Sequence, residues 1–318
     1  MAHQIKSESS KRGIDWAIIA FFALAYAIAW GSFGIIAIIA DQSGLESPQA
    51  LMAMGETWQY GNAIVSAPQW VIYLLTRLAD FSFSIAGIIL IVVTAGWGGL
   101  HDLWQRLTHW RIHPLWYVLG LLPLVLYAVA VLIADAGLPA PISASTIGTI
   151  LFSLQSGLLV SLFLRGAFGE EFGLRGFALP RLQESMSPFR ASLIIGALWG
   201  AWHLPVLIGR DVISIVVFVL LAFGLSFIFT WLFNGSGGSL IPVLLFHATQ
   251  NWEEGFETIF PALVGTDWEL ISTLILLILG IIAGFVVWRN SRQSVSQSMR
   301  DKSKTMLLSQ DTGSKAQA

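Results

Sequence analysis

The chain has 318 residues, of which 55% are hydrophobic and only 11% are charged, and its mean hydropathy is +0.72. A soluble domain carries about 25% charged residues, so this composition excludes a disordered chain, a nucleic-acid-binding protein and an ordinary soluble enzyme. The net charge of −2 implies no strongly basic or acidic partner. Because the chain has no cysteine, it has no disulfide framework, thiolate metal site or cysteine nucleophile. The composition is that of an integral membrane protein, surrounded by the lipid bilayer.

Long apolar stretches recur along the chain, and about 20 apolar residues cross a bilayer as one helix. Backbone groups cannot stay unpaired in lipid, and these stretches are too long for barrel strands. We therefore predict an all-α fold, a polytopic membrane helix bundle with about eight transmembrane helices. The predicted spans are residues 16–40, 81–100, 115–134, 146–164, 191–208, 212–233, 240–260 and 270–288.

The distribution of basic residues predicts the orientation of the bundle. We divide the chain into an N-terminal segment (1–13), the transmembrane bundle (14–289) and a disordered tail (290–318) that is rich in Ser, Gln and Lys. Eight spans place both termini on one side, together with most of the 17 Lys and Arg residues. By the positive-inside rule this side is the cytoplasm. The first apolar run is too long for a signal peptide, and we interpret it as a retained anchor.

Two shorter segments flank the second span. Segment 63–79 is apolar, and we predict that it extends this span outward or lies at the membrane interface. Arg77 and Asp80, three residues apart at its end, can form an ion pair on a helix. Segment 103–113 combines Trp, Leu, Arg and His, which is typical of an interfacial helix.

The first candidate functional motif contains adjacent glutamates. Ionisable groups inside membrane spans are costly and usually functional. Glu171 and Arg175 are four residues apart, in the order that favours an ion pair on a helix, whereas Glu170 has no local partner. The motif is therefore a candidate catalytic element, although an interfacial helix that faces the cytoplasm is the alternative. Glycines at helical spacing predict a smooth face for close helix packing: Gly166, Gly169, Gly173 and Gly176.

Two histidine motifs follow in later spans. Trp199 and His203 are four residues apart, so their rings can pack together, and Pro205 predicts a kink or a helix end just after the histidine. His247 and Asn251 share a helix face and can both point into one polar cavity. A histidine satisfied within the core and a polar contact between helices are the alternative interpretations.

Together the three motifs carry the parts of a water-activating hydrolase: a general base, a proton partner and oxyanion donors. In this order, EEFGLR, WGAWHLP and HATQN resemble the motifs E-E-x-x-x-R, F-x-x-x-H and H-x-x-x-N/D of the CPBP intramembrane endopeptidases. These are bacterial relatives of the type II CAAX prenyl endopeptidases, also called the Abi or CAAX amino-terminal protease family. The resemblance covers about residues 153–257, with Trp199 where the family often has Phe.

The resemblance implies a helix bundle with a catalytic cavity inside the membrane, open toward the cytoplasm. By motif position, Glu170 would activate water and His203 would share that role. His247 and Asn251 would stabilise the oxyanion. The residues that would support the site are Glu171, Arg175 and Trp199. The implied substrate is a membrane-associated peptide or protein.

The resemblance leaves open a glutamate mechanism without metal and a metallo-endopeptidase mechanism. Without cysteine, the available zinc ligands are Glu170, His203 and His247. The third motif ends in Asn251, a poor zinc ligand but a good amide donor, and neither histidine motif has the H-E-x-x-H spacing. We therefore expect no cofactor, with zinc as the alternative. Glu254 lies close enough in sequence to join the site, but we expect it to face the cavity or the outer surface.

Two other function classes compete with an intramembrane endopeptidase. A transporter could use Glu170, His203 and His247 as a proton relay, but we find no duplicated halves in the sequence. A non-enzymatic membrane scaffold or chaperone of the same fold would be favoured by a missing motif residue, and every motif residue is present. We therefore predict a CAAX-protease-like endopeptidase, with the scaffold or chaperone as the alternative.

Overall fold

The computed structural model describes residues 15–43, 67–133, 144–252 and 267–315, and within these ranges the chain forms helices without strands. Two of the helices change to a π-helical segment partway along, which widens their backbone locally. The described helices are α1 (Trp16–Ser43), α2 (Ala67–Asp80), α3 (Ser82–Thr108), α4 (Pro114–Gly120), α5 (Leu122–Ile133), α6 (Ala144–Phe163), α7 (Gly166–Ser185), α8 (Pro188–Trp202), α9 (Leu204–Leu207), α10 (Val212–Gly235), α11 (Ile241–Gln250) and α12 (Trp268–Lys315). The π-helical segments are Leu154–Leu159 within α6 and Leu174–Ala178 within α7.

Five helical stretches of the described chain are long and apolar enough to cross a membrane, and they confirm the predicted polytopic helical bundle. They are Trp16–Ile39, Ser82–Thr108, Leu151–Ser185, Val212–Gly235 and Trp268–Gln293. Shorter helices occupy three other predicted spans, and Pro123 and Pro205 interrupt the backbone hydrogen bonds in two of them, residues 115–134 and 191–208. The number eight therefore stays a prediction, and part of the predicted span 240–260 lies outside the described residues.

Three predicted segments differ from the structure. Phe81 separates α2 from α3, so residues 67–80 form their own helix, in which Arg77 and Asp80 pair at 3.1 Å as predicted. Segment 103–113 is not one interfacial helix, because α3 continues to Thr108 and the next five residues leave the helix. The structure continues α12 to Lys315 instead of a disordered tail, and the tail contains no glycine or proline before Gly313 to end the helix.

Helix α10 packs along both α8 and α12, and α11 packs against α4 and α7. The backbones of α10 and α12 come into direct contact where Gly224 faces Gly280, since a side chain on Gly280 would overlap the Gly224 backbone. Small residues allow this close approach in membrane bundles, where dispersion contacts replace the hydrophobic effect between helices. These contacts hold α7, α8 and α11, which carry the three motifs, around α10.

Helix α7 approaches α3 equally closely, and this contact fixes the helix that carries the adjacent glutamates. A side chain on Gly173 would overlap the carbonyl oxygen of Phe83, and one on Gly87 would lie 2.7 Å from the Gly173 Cα. The hydroxyl of Ser84 donates a hydrogen bond of 2.7 Å to the carbonyl oxygen of Phe168. The predicted glycine face therefore packs against α3 at Gly173.

We expect Gly173→Ala to destabilise the bundle by about 1–3 kcal/mol, because the added methyl group overlaps backbone atoms that cannot move aside. Gly34→Ala on α1 is the matched control, since no atom lies within 4 Å of the methyl group that it adds. Thermal unfolding in detergent, followed by circular dichroism, compares the two variants. Equal melting temperatures for Gly173→Ala and the unmodified protein would contradict this packing.

Candidate active site

The three sequence motifs meet inside the bundle. Helix α7 supplies both glutamates and the arginine, the end of α8 supplies the tryptophan and the first histidine, and α11 supplies the second histidine with the asparagine that follows it. Most of these side chains are buried or nearly so, and His203 and Asn251 are partly exposed. The structure therefore collects all seven predicted site residues: Glu170, Glu171, Arg175, Trp199, His203, His247 and Asn251.

Glu171 is fully buried and has two partners on different helices. Arg175 Nη1 lies 3.0 Å from both carboxylate oxygens, so the predicted ion pair is present. His247 Nδ1 lies 2.7 Å from Glu171 Oε1 and joins α11 to α7. A buried carboxylate is tolerated only when its oxygens are hydrogen-bonded to such partners. Glu171 therefore fixes both the arginine and the ring of the second histidine.

Aromatic rings surround the fully buried guanidinium of Arg175. Its Nε and Nη2 atoms have no hydrogen-bond partner among the described residues, while its central carbon lies 4.7 Å from the Phe229 ring centre and 5.5 Å from the Trp199 ring centre. Cation–π attraction at these distances partly replaces the missing hydrogen bonds. The backbone around Arg175 is π-helical, a deviation common at functional sites.

Glu170 lies on a different face of α7 and binds a different helix. The indole N–H of Trp199 donates a hydrogen bond to Glu170 Oε2, which gives this carboxylate the partner that its own helix does not provide. Only 5% of Glu170 is exposed. The bond fixes one carboxylate oxygen and leaves the other, Oε1, directed at a point beside Gly166.

That point, one turn before Glu170, is where the polar atoms converge. A methyl group built on Gly166 would lie 2.7 Å from His247 Nε2, 2.9 Å from Asn251 Nδ2 and 3.2 Å from Glu170 Oε1. One carboxylate oxygen and two nitrogens thus face a single position that only glycine leaves open. Gly166 was predicted as part of a packing face, whereas here its Cα borders the site. Gly166 lies four residues before Glu170, on the same helix face, and this spacing could have indicated the role from the sequence.

The ring of His247 is held on two sides. Its Nδ1 is bonded to Glu171, and the Phe229 ring stacks on it with centres 5.3 Å apart and planes at 23°. Asn251 follows the last residue of α11, and its backbone N–H donates to the His247 carbonyl oxygen at 3.1 Å. The turn therefore keeps both side chains on one side, as their spacing predicted. Phe229 was not identified from the sequence, because an isolated phenylalanine in an apolar span carries no signal.

His203 lies next to the site but makes no hydrogen bond to Glu170 in the described chain. Helix α8 ends at Trp202, as Pro205 predicted, and His203 Nδ1 lies 2.8 Å from the Trp199 carbonyl oxygen. A carbonyl only accepts, so Nδ1 carries the hydrogen and a neutral ring keeps a lone pair on Nε2. The ring packs against Trp202 and Phe218, with centres 4.6 and 4.8 Å apart.

The three candidate zinc ligands do not converge in this arrangement. Within the ranges that the structure describes, no group of three or more His, Asp or Glu side chains is placed to hold a metal ion. His203 and His247 bond through Nδ1 and Glu170 through Oε2, which leaves one ligand atom on each side chain, so these bonds alone do not exclude a metal. The described residues do not bring the three ligand atoms together as one site. Glu254 lies outside the described residues.

Comparisons with known proteins agree with the motifs. The family model of the type II CAAX prenyl endopeptidases (Rce1-like) matches residues 151–252. CAAX prenyl protease 2 of Methanococcus maripaludis is 31% identical to this chain over an alignment of 114 residues, and the alignment covers 33% of this chain and 42% of the relative. The chain thus matches less than half of the relative's length. The residues that the family model matches contain all three motifs, and the two matches together confirm the family resemblance.

Proposed function

We propose that this chain, whose residues 151–252 match the type II CAAX prenyl endopeptidase family, is an intramembrane endopeptidase. It would hydrolyse a peptide bond of a membrane-associated peptide or protein. The observation that carries this proposal is the position beside Gly166, which Glu170 Oε1, His247 Nε2 and Asn251 Nδ2 all face. A proton acceptor beside two nitrogen donors is what water attack on a carbonyl group requires.

In the proposed reaction, Glu170 Oε1 removes a proton from a water molecule as the water oxygen attacks the scissile carbonyl carbon. The carbon–oxygen bond forms, and the carbonyl oxygen takes the negative charge of a tetrahedral intermediate. His247 Nε2–H and Asn251 Nδ2–H donate hydrogen bonds to that oxygen. The proton on Glu170 then passes to the leaving nitrogen as the carbon–nitrogen bond breaks. The products are a new carboxylic acid and a new amine, which become carboxylate and ammonium when the acid proton passes to the amine, and Glu170 returns to its starting form.

Each supporting residue has a role in this scheme. His247 donates from Nε2 when its ring is protonated on both nitrogens, and Glu171 then accepts the Nδ1 hydrogen. With that proton, the buried group of two carboxylates, one guanidinium and one imidazolium has no net charge, which lowers its cost in the membrane. Trp199 positions Glu170 by binding its other oxygen. His203 would act through the lone pair on Nε2 as a second acceptor near the water.

The substrate class and the location are part of the proposal. The matched relative is a CAAX prenyl protease, which supports a substrate that reaches the site from the membrane. The buried site within the bundle agrees with such a route. We propose that both termini lie in the cytoplasm, which the positive-inside distribution supports. The resemblance to the bacterial CPBP endopeptidases supports a bacterial cell membrane and a site accessible from the cytoplasm.

We expect Glu170→Gln to reduce hydrolysis by about 10²-fold or more, because glutamine keeps the shape and can still accept from Trp199 but cannot take a proton. The matched control is Glu184→Gln, since Glu184 is exposed near the end of α7. The purified variants are incubated with a farnesylated peptide that ends in a CAAX sequence, and mass spectrometry measures release of the C-terminal tripeptide. Unchanged melting temperatures show that folding is preserved.

Equal release by Glu170→Gln and the unmodified protein would contradict the assignment of Glu170 as the base. If the peptide is not cut by either protein, the membrane peptidomes of cells with the unmodified chain and with Glu170→Gln are compared. A peptide processed only in cells with the unmodified chain supports an endopeptidase with another substrate. Identical peptidomes would overturn the proposal and favour a scaffold or chaperone.

We expect a strong chelator to leave the activity unchanged, because the three possible zinc ligands do not form one cluster within the described residues. The measurement pairs the peptide assay, before and after chelation and dialysis, with elemental analysis of bound metal. Stoichiometric zinc, with activity lost on chelation and restored by added zinc, would replace the proposed mechanism with a metallo-endopeptidase one.

A further inference from the structure

An apolar groove with a volume of about 680 Å³ runs between α10 and α12, and none of the predicted site residues lines it. The groove is deep because Gly224 and Gly280 bring the two helices into contact and Gly284 adds no side chain above them. Its walls are largely aromatic. They include Phe189, Phe223, Phe227, Phe285 and Trp288. The groove thus has a continuous apolar lining.

The length of the groove corresponds to one leaflet of the bilayer. Along α12 the lining residues extend from Leu277 to Trp288. At a rise of about 1.5 Å per residue this is roughly 16 Å, which is close to half of the ~30 Å hydrocarbon core. A groove of this length can hold the apolar chain of one lipid, from the middle of the membrane to its surface.

Basic side chains lie at one end of the groove. Arg292 places its guanidinium 4.9 Å from the ring centre of Trp288, which is the last lining residue on α12. The backbone N–H of Phe189 donates to Ser291 Oγ at 3.4 Å, so the start of α8, including Arg190, lies beside this end. Arg190, Arg289 and Arg292 are exposed, and none of them pairs with a carboxylate of a described residue. The end of the groove at the membrane surface therefore has positive charge available for a ligand.

We propose that this groove binds one acyl chain of an anionic glycerophospholipid, whose phosphate-bearing headgroup contacts Arg289 and Arg292. Arginine binds phosphate through paired N–H groups, and basic pockets between membrane helices are typical sites for anionic lipid headgroups. A second copy of the chain fits less well. A twofold axis along the membrane normal would bring the arginines of both copies together at the same membrane surface, where they repel.

Native mass spectrometry of the purified protein tests the proposal, with phosphatidylglycerol and phosphatidylcholine of equal chain length added separately. The unmodified protein should retain one phosphatidylglycerol and at least tenfold less phosphatidylcholine. Ile281→Trp fills the groove from a position that is 73% exposed, and it should abolish retention without disturbing the core. The control is Ile278→Trp, at a site 57% exposed but outside the groove, and it should retain the lipid.

The charge requirement is tested in the same experiment with the double variant Arg289→Gln/Arg292→Gln. It should lose the preference for phosphatidylglycerol while keeping the unmodified melting temperature, because both side chains are exposed. Equal retention of the two lipids by the unmodified protein would overturn the proposal, as would retention by Ile281→Trp. A dimer that Ile281→Trp converts to a monomer would assign the groove to a second copy instead. The readout needs no peptidase activity, so it is independent of the proposed function.

Discussion

The site depends on one buried carboxylate. Glu171 has no exposure to solvent, and removing a negative charge from water costs several kcal/mol unless partners replace the water. Arg175 provides one such partner from the next turn of the same helix, and His247 provides the other from α11. Because the two partners lie on different helices, the same carboxylate that keeps the arginine in the membrane also fixes the imidazole ring opposite Gly166.

Two adjacent glutamates therefore have different tasks. Glu171 faces the arginine and the histidine and is fully engaged, whereas Glu170 faces α8 and keeps one oxygen directed toward the position beside Gly166. Their sequence neighbourhood is the same, so the difference arises from the rotation of about 100° between successive helical residues. One helix thus presents a structural carboxylate and a candidate base on separate faces.

The glycines of α7 serve two purposes as well. Gly173 lets the helix touch the backbone of α3, which fixes its position in the bundle. Gly166 instead leaves open the space where the polar atoms of Glu170, His247 and Asn251 converge. The same absence of a side chain gives close packing at one position and lets polar side-chain atoms converge at another. Position relative to the neighbouring helices decides which purpose each glycine serves.

Local spacing predicted the features that depend on a single helix. Composition and long apolar runs predicted the helical bundle, the i,i+4 rule predicted the ion pair of Glu171 with Arg175, and Pro205 predicted the end of α8. The ordered motifs predicted the family and identified His247 and Asn251 as neighbours of Glu170. Motif order and helical spacing can be determined along the sequence and do not depend on how the helices pack, so these features could be predicted without a structure.

Contacts between helices could not be predicted in this way. The indole of Trp199 reaches Glu170 across 29 residues, and Glu171 reaches His247 across 76, so no local rule connects them. The stacking of Phe229 on His247 and the role of Gly166 also depend on how the helices pack. The end of α12 differs from the predicted disordered tail for another reason. Its polar composition favours disorder, but the lack of helix-breaking residues permits a helix.

Glu171 and Arg175 stabilise the bundle as a coupled pair, and a double-mutant cycle measures that coupling directly. The free energy of unfolding is measured in mixed detergent for Glu171→Gln, Arg175→Met and the double variant. Glu171→Gln removes the carboxylate that neutralises the buried guanidinium, and Arg175→Met removes one of the two partners of the buried carboxylate, so we expect a loss of up to about 3–5 kcal/mol for each. The double variant should lose clearly less than the sum of the two, because it leaves neither charge unpaired. Additive losses would contradict the account, since they would show that the two side chains do not stabilise the fold through each other.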